Sequence, residues 1–149
     1  MSQSKSILNN KWILYYHAID SEDWTENGYE PIIEIETVED FWFTFNKIRD
    51  FSTGMFFLMR KGNLPIWESY NGEVHYVKYR SNKKFYFQQW LNLCKAAVGE
   101  TITDDPSKII GVSISPKMKN IIIRIWIKSD KAPIFLSDLN INMDKCLFE

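Results

Sequence analysis

The stretch TVEDFWFTFNKI, residues 37–48, says most about the fold. Thr37 stands where its hydroxyl can cap the first turn of a helix. Glu39 and Asp40 follow where negative charge suits the positive end of the helix dipole. Val38, Phe41, Phe45 and Ile48 then recur at helical spacing and form one apolar stripe. Trp42 sits about 100° around the helix from Phe41, at the edge of that stripe, where an indole can be half exposed. A helix patterned in this way needs a partner layer to cover its stripe.

The flanking segments supply that layer. Upstream, residues 11–17 (KWILYYH) are rich in aromatic and β-branched residues and read as a strand. A polar loop, residues 20–28, carries the isolated Trp24, and residues 31–36 (PIIEIE) form a second short strand. Downstream, Gly54 ends the helical region and residues 55–61 (MFFLMRK) read as a strand. Gly62, Asn63 and Pro65 mark a loop leading to Trp67 and Glu68. Asn71-Gly72 signals a hairpin turn into a strand over residues 73–80. A second helix is predicted over residues 82–98, with Trp90, Leu93, Cys94 and Ala97 on one face and Gly99 at its end. Residues 108–115 and 120–128 read as strands joined by the turn 116–119. From Ser129 onward the pattern is poor, and a strand or short helix is expected. With no repeat, low-complexity tract or linker, residues 1–149 read as one domain. The fold class is α+β, a mostly antiparallel sheet with helices packed on one face.

Composition narrows the function. Of the 149 residues 15% are aromatic, including six Trp, which favours a site that stacks flat rings. A net charge of −1 argues against a broad basic surface for duplex DNA, so any nucleic-acid contact should be a local pocket with a few cations. Cys94 and Cys146 make neither a disulfide framework nor a zinc spacing, and Cys94 reads as a small buried apolar residue. A reducing compartment fits this usage. No apolar run is long enough to span a membrane, and the opening MSQSKSILNN lacks the apolar core of a signal peptide, so a cytoplasmic location without a membrane partner is expected. The abundance of Ile, Asn and Lys suits AT-rich coding DNA, as in a protist or a large DNA virus, and carries no chemistry. His17 and His75 fall in strands away from any nucleophile motif, and Asp104-Asp105 reads as solvated turn acids. No Gly-rich phosphate loop is present. Catalysis, a metal and a cofactor are therefore not expected.

Several motifs occur together and in order. NKWILYYH (residues 10–17), TVEDFWFTFNKI (37–48), LPIWES (64–69), WLNLCKAAVGE (90–100) and GVSISPKMKNIIIRIW (111–126) resemble the successive signatures of the eukaryotic translation initiation factor 4E family. The resemblance covers residues 7–128 and fades afterwards. It implies a curved antiparallel sheet backed by helices, with a ligand on the concave face. It also implies a function, which is binding of the 7-methylguanosine 5′ cap of messenger RNA during translation initiation.

The chemistry of such a site is specific. A guanine methylated at N7 carries positive charge over its ring, and two facing indoles can sandwich it, worth about 1–2 kcal/mol when desolvated. Trp24 and Trp67 lie in loops and match the family's stacking pair, although Trp24 follows a single-residue deletion. A loop Trp can instead tuck back onto the core. Glu68 is placed to accept hydrogen bonds from the guanine N1–H and amino group, a pattern adenine cannot match. Trp126 resembles the residue near the N7-methyl group, with ordinary core packing as the alternative. Lys117 and Lys119 lie in the turn where the family keeps positive charge for the phosphates. Ile122 stands where the family holds a basic residue. Arg124, on the same strand face as Ile122 and Trp126, is a candidate replacement for that charge.

The resemblance also implies a partner, a scaffold factor 4G-like protein or a 4E-binding protein that docks a helical peptide on the convex face. Val38, Trp42 and Leu91 match the residues that carry this role. Ser6-Ile7 stands where the family favours His-Pro, Asn92 replaces a carboxylate and Lys95 replaces an apolar residue, so an altered partner preference is expected. Two other readings stay open: an interaction module that has lost cap binding, and a cap-binding repressor.

Overall fold

The computed structural model describes residues 6–66, 70, 74–102, 105–128 and 146–148, and among them lie seven strands and two α-helices. The strands are β1 (Ile7–His17), β2 (Glu30–Thr37), β3 (Met55–Arg60), β4 (His75–Asn82), β5 (Ile109–Lys117), β6 (Asn120–Ile127) and β7 (Cys146–Phe148). The helices are α1 (Val38–Lys47) and α2 (Tyr86–Val98). One sheet takes all seven strands in the order β2-β1-β3-β5-β6-β4-β7, and each described ladder is antiparallel. The expected α+β class is what forms.

Period-two alternation decides which face each residue serves. On β6, Ile121, Ile123, Ile125 and Ile127 enter the main core under the helices. Ile122, Arg124 and Trp126 therefore face the other way. On β1, Trp12 and Leu14 join the main core, which leaves Ile13, Tyr15 and His17 on the opposite face. That second face holds a smaller apolar cluster of Tyr29, Phe57, Met59, Val74, Ile110 and Trp126.

Helix α1 begins as its sequence dictates. The Asp40 N–H donates to the Thr37 hydroxyl oxygen at 3.0 Å, and the Thr37 N–H donates back to the Asp40 carboxylate at 3.2 Å. This reciprocal cap is worth about 1 kcal/mol. The buried stripe differs from the expected one: Phe41, Thr44 and Phe45 are buried, whereas Val38 is exposed. Val38 occupies the first turn, ahead of the place where the helix meets the sheet.

Helix α2 buries Trp90, Leu93, Cys94 and Ala97 as expected, and burial pushes the Cys94 thiol well above its ordinary value. It starts at Tyr86 rather than at residue 82, because the Asn82 side-chain oxygen accepts from the N–H groups of Lys84 and Phe85 and holds them in a turn. It ends at Val98 with Gly99 as its cap, as expected, but the left-handed turn falls one residue later. Gly99 is right-handed at φ −83°, and the left-handed residue is Glu100 at φ 60°. Glu100 is held there by Arg60, whose Nη1 lies 2.7 Å from its carboxylate, and by Asn9 and Asn10. β1 also reaches back to Ile7, which pairs with Thr37 of β2, well before the expected start at residue 11.

The turn between β5 and β6 is tighter than residues 116–119, since Lys117 pairs with Asn120 and leaves Met118 and Lys119 as its tip. Asn71, Gly72 and Glu73 lie outside the described residues; β4 pairs with β6 and β7. In the tail, Cys146–Phe148 is a strand on the sheet edge, and residues 129–145 lie outside the described residues. No helix among the described residues is long and apolar enough to cross a membrane.

Candidate functional site: the cleft face and the helix face

The cleft on the sheet face away from the helices has a volume of about 440 Å³. The loop between β1 and β2 supplies Trp24 to its wall; β5 supplies Ser113, Ser115 and Lys117; β6 supplies Ile122, Arg124 and Trp126. Met55 and Phe57 from β3, with Tyr29 and Pro65, add an apolar lining. One end is thus aromatic and the other carries two cations.

Trp24 is 49% exposed although it borders this cleft. Its indole lies flat on the ring of His17, with centroids 4.1 Å apart and planes 8° from parallel. The loop that carries it closes on itself. The Thr25 N–H and hydroxyl both donate to the Asp23 carboxylate, which holds that carboxyl below its ordinary range. A single 3-10 turn, Glu26–Gly28, follows. A side chain at Gly28 would collide with the Asp23 carbonyl, so only glycine fits this close approach.

Trp126 is a different kind of tryptophan. It is buried, its Nε1–H donates to the Ser113 hydroxyl at 3.0 Å, and Phe57 and Tyr70 meet it edge-on at 6.2 Å. The core indoles Trp12 and Trp90 have no hydrogen-bond partner for their N–H groups among the described residues. Trp126 is therefore the fixed wall of the cleft, and Trp24 the side chain with surface to offer. Tyr70 donates its hydroxyl to the Leu64 carbonyl at 2.6 Å, and burial pushes its phenol up to about 12.

On the other face, Trp42 is 43% exposed and stacks on Phe41 at 5.3 Å. Lys95 of α2 places its ammonium 6.0 Å from the Trp42 ring centre. Leu91 lies one helical turn before Lys95 and packs partly buried against the main core. Among the described residues no group of His, Cys, Asp and Glu could hold a metal ion.

The family model for eukaryotic initiation factor 4E matches residues 7–147. The chain belongs to the initiation factor 4E family. It is 31% identical over 141 residues to the eukaryotic translation initiation factor 4E of Saccharomyces cerevisiae, covering 87% of this chain and 66% of that protein. It is 26% identical to factor 4E-3 of Caenorhabditis elegans, covering 80% of this chain and 52% of that one. The chain thus spans between half and two thirds of these relatives. Among solved structures, Ascaris suum eIF4E-3 with an m2,2,7G cap superposes with a TM-score of 0.80 at 21% identity, covering 98% of this chain and 91% of that one. C. elegans eIF4E-3 with the 4E-binding protein Mextli and a cap analog gives 0.82 at 22%, covering 98% and 92%. At such identities the structural likeness speaks for the shared fold. The factor 4E family is one of binding proteins rather than enzymes.

Of the candidate site residues, Trp24, Lys117, Arg124 and Trp126 are brought to one cleft. Lys119 is exposed at the neighbouring turn tip and does not line it. Trp67 and Glu68 lie outside the described residues. The chain on either side of them borders the site, since Pro65 lines the cleft and Tyr70 lies against Trp126. Ile122, the departure from the family pattern, is buried at 4% exposure, and Arg80 lies directly across the ladder from it. Sequence reasoning passed over His17, Tyr29 and Ser113. The signal for His17 was its parity with Ile13 and Tyr15, which puts a polar ring on the cleft face.

Proposed function

We propose that the cleft binds the 7-methylguanosine cap of messenger RNA, and that the helix face docks a helical peptide from a scaffold factor 4G-like protein or a 4E-binding protein. In this role the chain serves translation initiation. The observation that carries the reading is Trp24, backed by His17 on one face and half exposed at the edge of a cleft that also holds Lys117 and Arg124.

In this reading the charged guanine ring stacks on Trp24, and Trp67 closes the sandwich from the other side. Glu68 accepts the guanine N1–H and amino hydrogens. Trp126, fixed by Ser113, walls the space beside the N7-methyl group. The phosphates run towards Lys117 and Arg124, with Lys119 at the rim. Arg124 supplies, from the next same-face position on β6, the charge that Ile122 lacks. On the helix face Val38, Trp42 and Leu91 form the apolar anchor for the peptide. Lys95 beside Trp42 shifts preference towards a peptide with an acid near its docked leucine-type side chain.

Titration with 7-methyl-GTP and with GTP, followed by quenching of tryptophan fluorescence, tests the reading. Strong quenching by the methylated nucleotide, at least tenfold tighter than by GTP, is the expected result. Equal affinity for both, or none for either, would leave the fold standing and remove cap binding.

A further inference from the structure

The ring beneath Trp24 carries more information than its stacking. His17 is fully buried, and its two nitrogens both face carbonyl oxygens: Nδ1 lies 2.8 Å from the Ala18 oxygen and Nε2 lies 2.9 Å from the Asp23 oxygen. A carbonyl oxygen only accepts, so each contact is a hydrogen bond only if that ring nitrogen carries a proton. A neutral imidazole has one N–H, and the imidazolium has two. The neutral ring would set a nitrogen lone pair against a carbonyl oxygen in a site without solvent, which is repulsive.

Both acceptors belong to the loop that presents Trp24. Ala18 opens it, and Asp23 directly precedes the tryptophan. The Asp23 carbonyl is also the atom that Gly28 must approach without a side chain. A single carbonyl thus meets both the histidine below and the loop's own return. A cation beneath a parallel indole at 4.1 Å adds an attraction of its own.

We propose that His17 is a positioning residue for Trp24, acting as an imidazolium that clamps the loop at Ala18 and at Asp23 and fixes the indole plane for the ligand. The inference rests on the cleft being the cap site. The protonated ring makes both hydrogen bonds, so the clamp is complete at low pH and is lost as the pH rises and the ring gives up a proton. The groups facing His17 agree with this sign. Asp23 contributes a carboxylate in the same loop, and Tyr29, 4.9 Å away at the loop's end, contributes a phenol. From β3 its ladder partner is Met55, which has no charge. The nearest ladder position on β2 is Glu30, opposite Tyr16. No cation stands among these groups.

The deciding experiment begins without ligand. The chain has two histidines, so the imidazole nitrogens of His17 can be followed by NMR together with the Trp24 indole N–H, assigned with Trp24→Phe. Across a pH series, His17 should show both nitrogens protonated at the acid end, as its two carbonyl contacts require. Its titration should carry the Trp24 signal with it. A neutral single tautomer throughout, or a Trp24 signal indifferent to His17, overturns the proposal. The second arm is His17→Phe, which keeps a flat ring but neither hydrogen bond. Its affinity for 7-methyl-GTP at the acid end should fall about fivefold below wild type, and the wild-type to variant ratio should shrink as pH rises. The ligand's own ionisation cancels in that ratio. A ratio of one at every pH means simple ring packing and also overturns the proposal. If wild-type protein fails to bind 7-methyl-GTP at any pH, the cap reading fails, and the ligand-free coupling still decides the clamp.

Discussion

Two tryptophans sit half exposed on opposite faces of this molecule, and each lies on another aromatic ring. Trp42 rides on a helix and stacks on Phe41, a member of the main core, so its position is fixed by regular hydrogen bonding and apolar packing. Trp24 rides on an irregular loop and stacks on His17, a polar ring whose contacts are two backbone carbonyls. Equal exposure therefore hides unequal causes. The helix-face indole depends on the stability of the whole fold. The cleft indole depends on a local set of hydrogen bonds that can change without unfolding. That difference suits a face that docks another protein and a face that closes on a small charged ligand.

The largest effect that would separate the faces is on ligand affinity. Trp24→Ala should weaken 7-methyl-GTP binding about a hundredfold, from combined stacking and cation–π loss. A helical 4E-binding peptide should bind the same variant unchanged in calorimetry, and a parallel loss of both would erase the distinction.

Next comes a change that should spare neither face. Arg60 and Glu100 are nearly buried at 15% and 11% side-chain exposure and tie β3 to the end of α2. Glu100→Gln should cost about 2 kcal/mol in urea unfolding. Burial works to raise the Glu100 carboxyl, and the hydrogen bonds and charge from Arg60, Asn9 and Asn10 outweigh it, so the net displacement is downward. A depressed carboxyl contributes stability above the ordinary glutamate range and loses it as pH falls through the folded value. Wild-type protein should therefore lose more stability than Glu100→Gln on acidification below about pH 4.3.

How far these contacts were legible depends on whether pattern or proximity makes them. The Thr37 cap, the same-face set Ile122, Arg124 and Trp126, and the buried face of α2 follow from periodicity, which sequence displays directly. The start of α2 is hidden because Asn82 captures two N–H groups locally, a competition that apolar spacing does not register. The early part of β1 is illegible because Asn9 and Asn10 look unlike strand residues, and their partner Glu100 is remote in sequence. His17 differs, since parity places it on the cleft face while its partners Ala18 and Asp23, though near in sequence, are set by the loop's shape. Trp24 stood out as a loop tryptophan, but the ring beneath it is set by how the loop folds back over Gly28, and no repeat or motif encodes that.

A smaller effect tests the helix face by itself. Trp42→Ala should weaken a helical partner peptide by about 1.5 kcal/mol, roughly tenfold, while 7-methyl-GTP titrations stay at the wild-type value. The smallest difference lies inside the cleft. Arg124→Ala should reduce affinity for 7-methyl-GTP about fivefold and reduce its salt dependence, with little change for the methylated nucleoside that lacks phosphates.

On the proposed function the cleft face, and not the helix face, takes the cap. Mapping 7-methyl-GTP onto the amide and indole N–H signals of the protein tests it most directly. The indoles of Trp24 and Trp126 and the amides of Lys117 and Arg124 should move on titration while Trp42 stays still. Shifts centred on Trp42, or none at Trp24 with the ligand in excess, would contradict it.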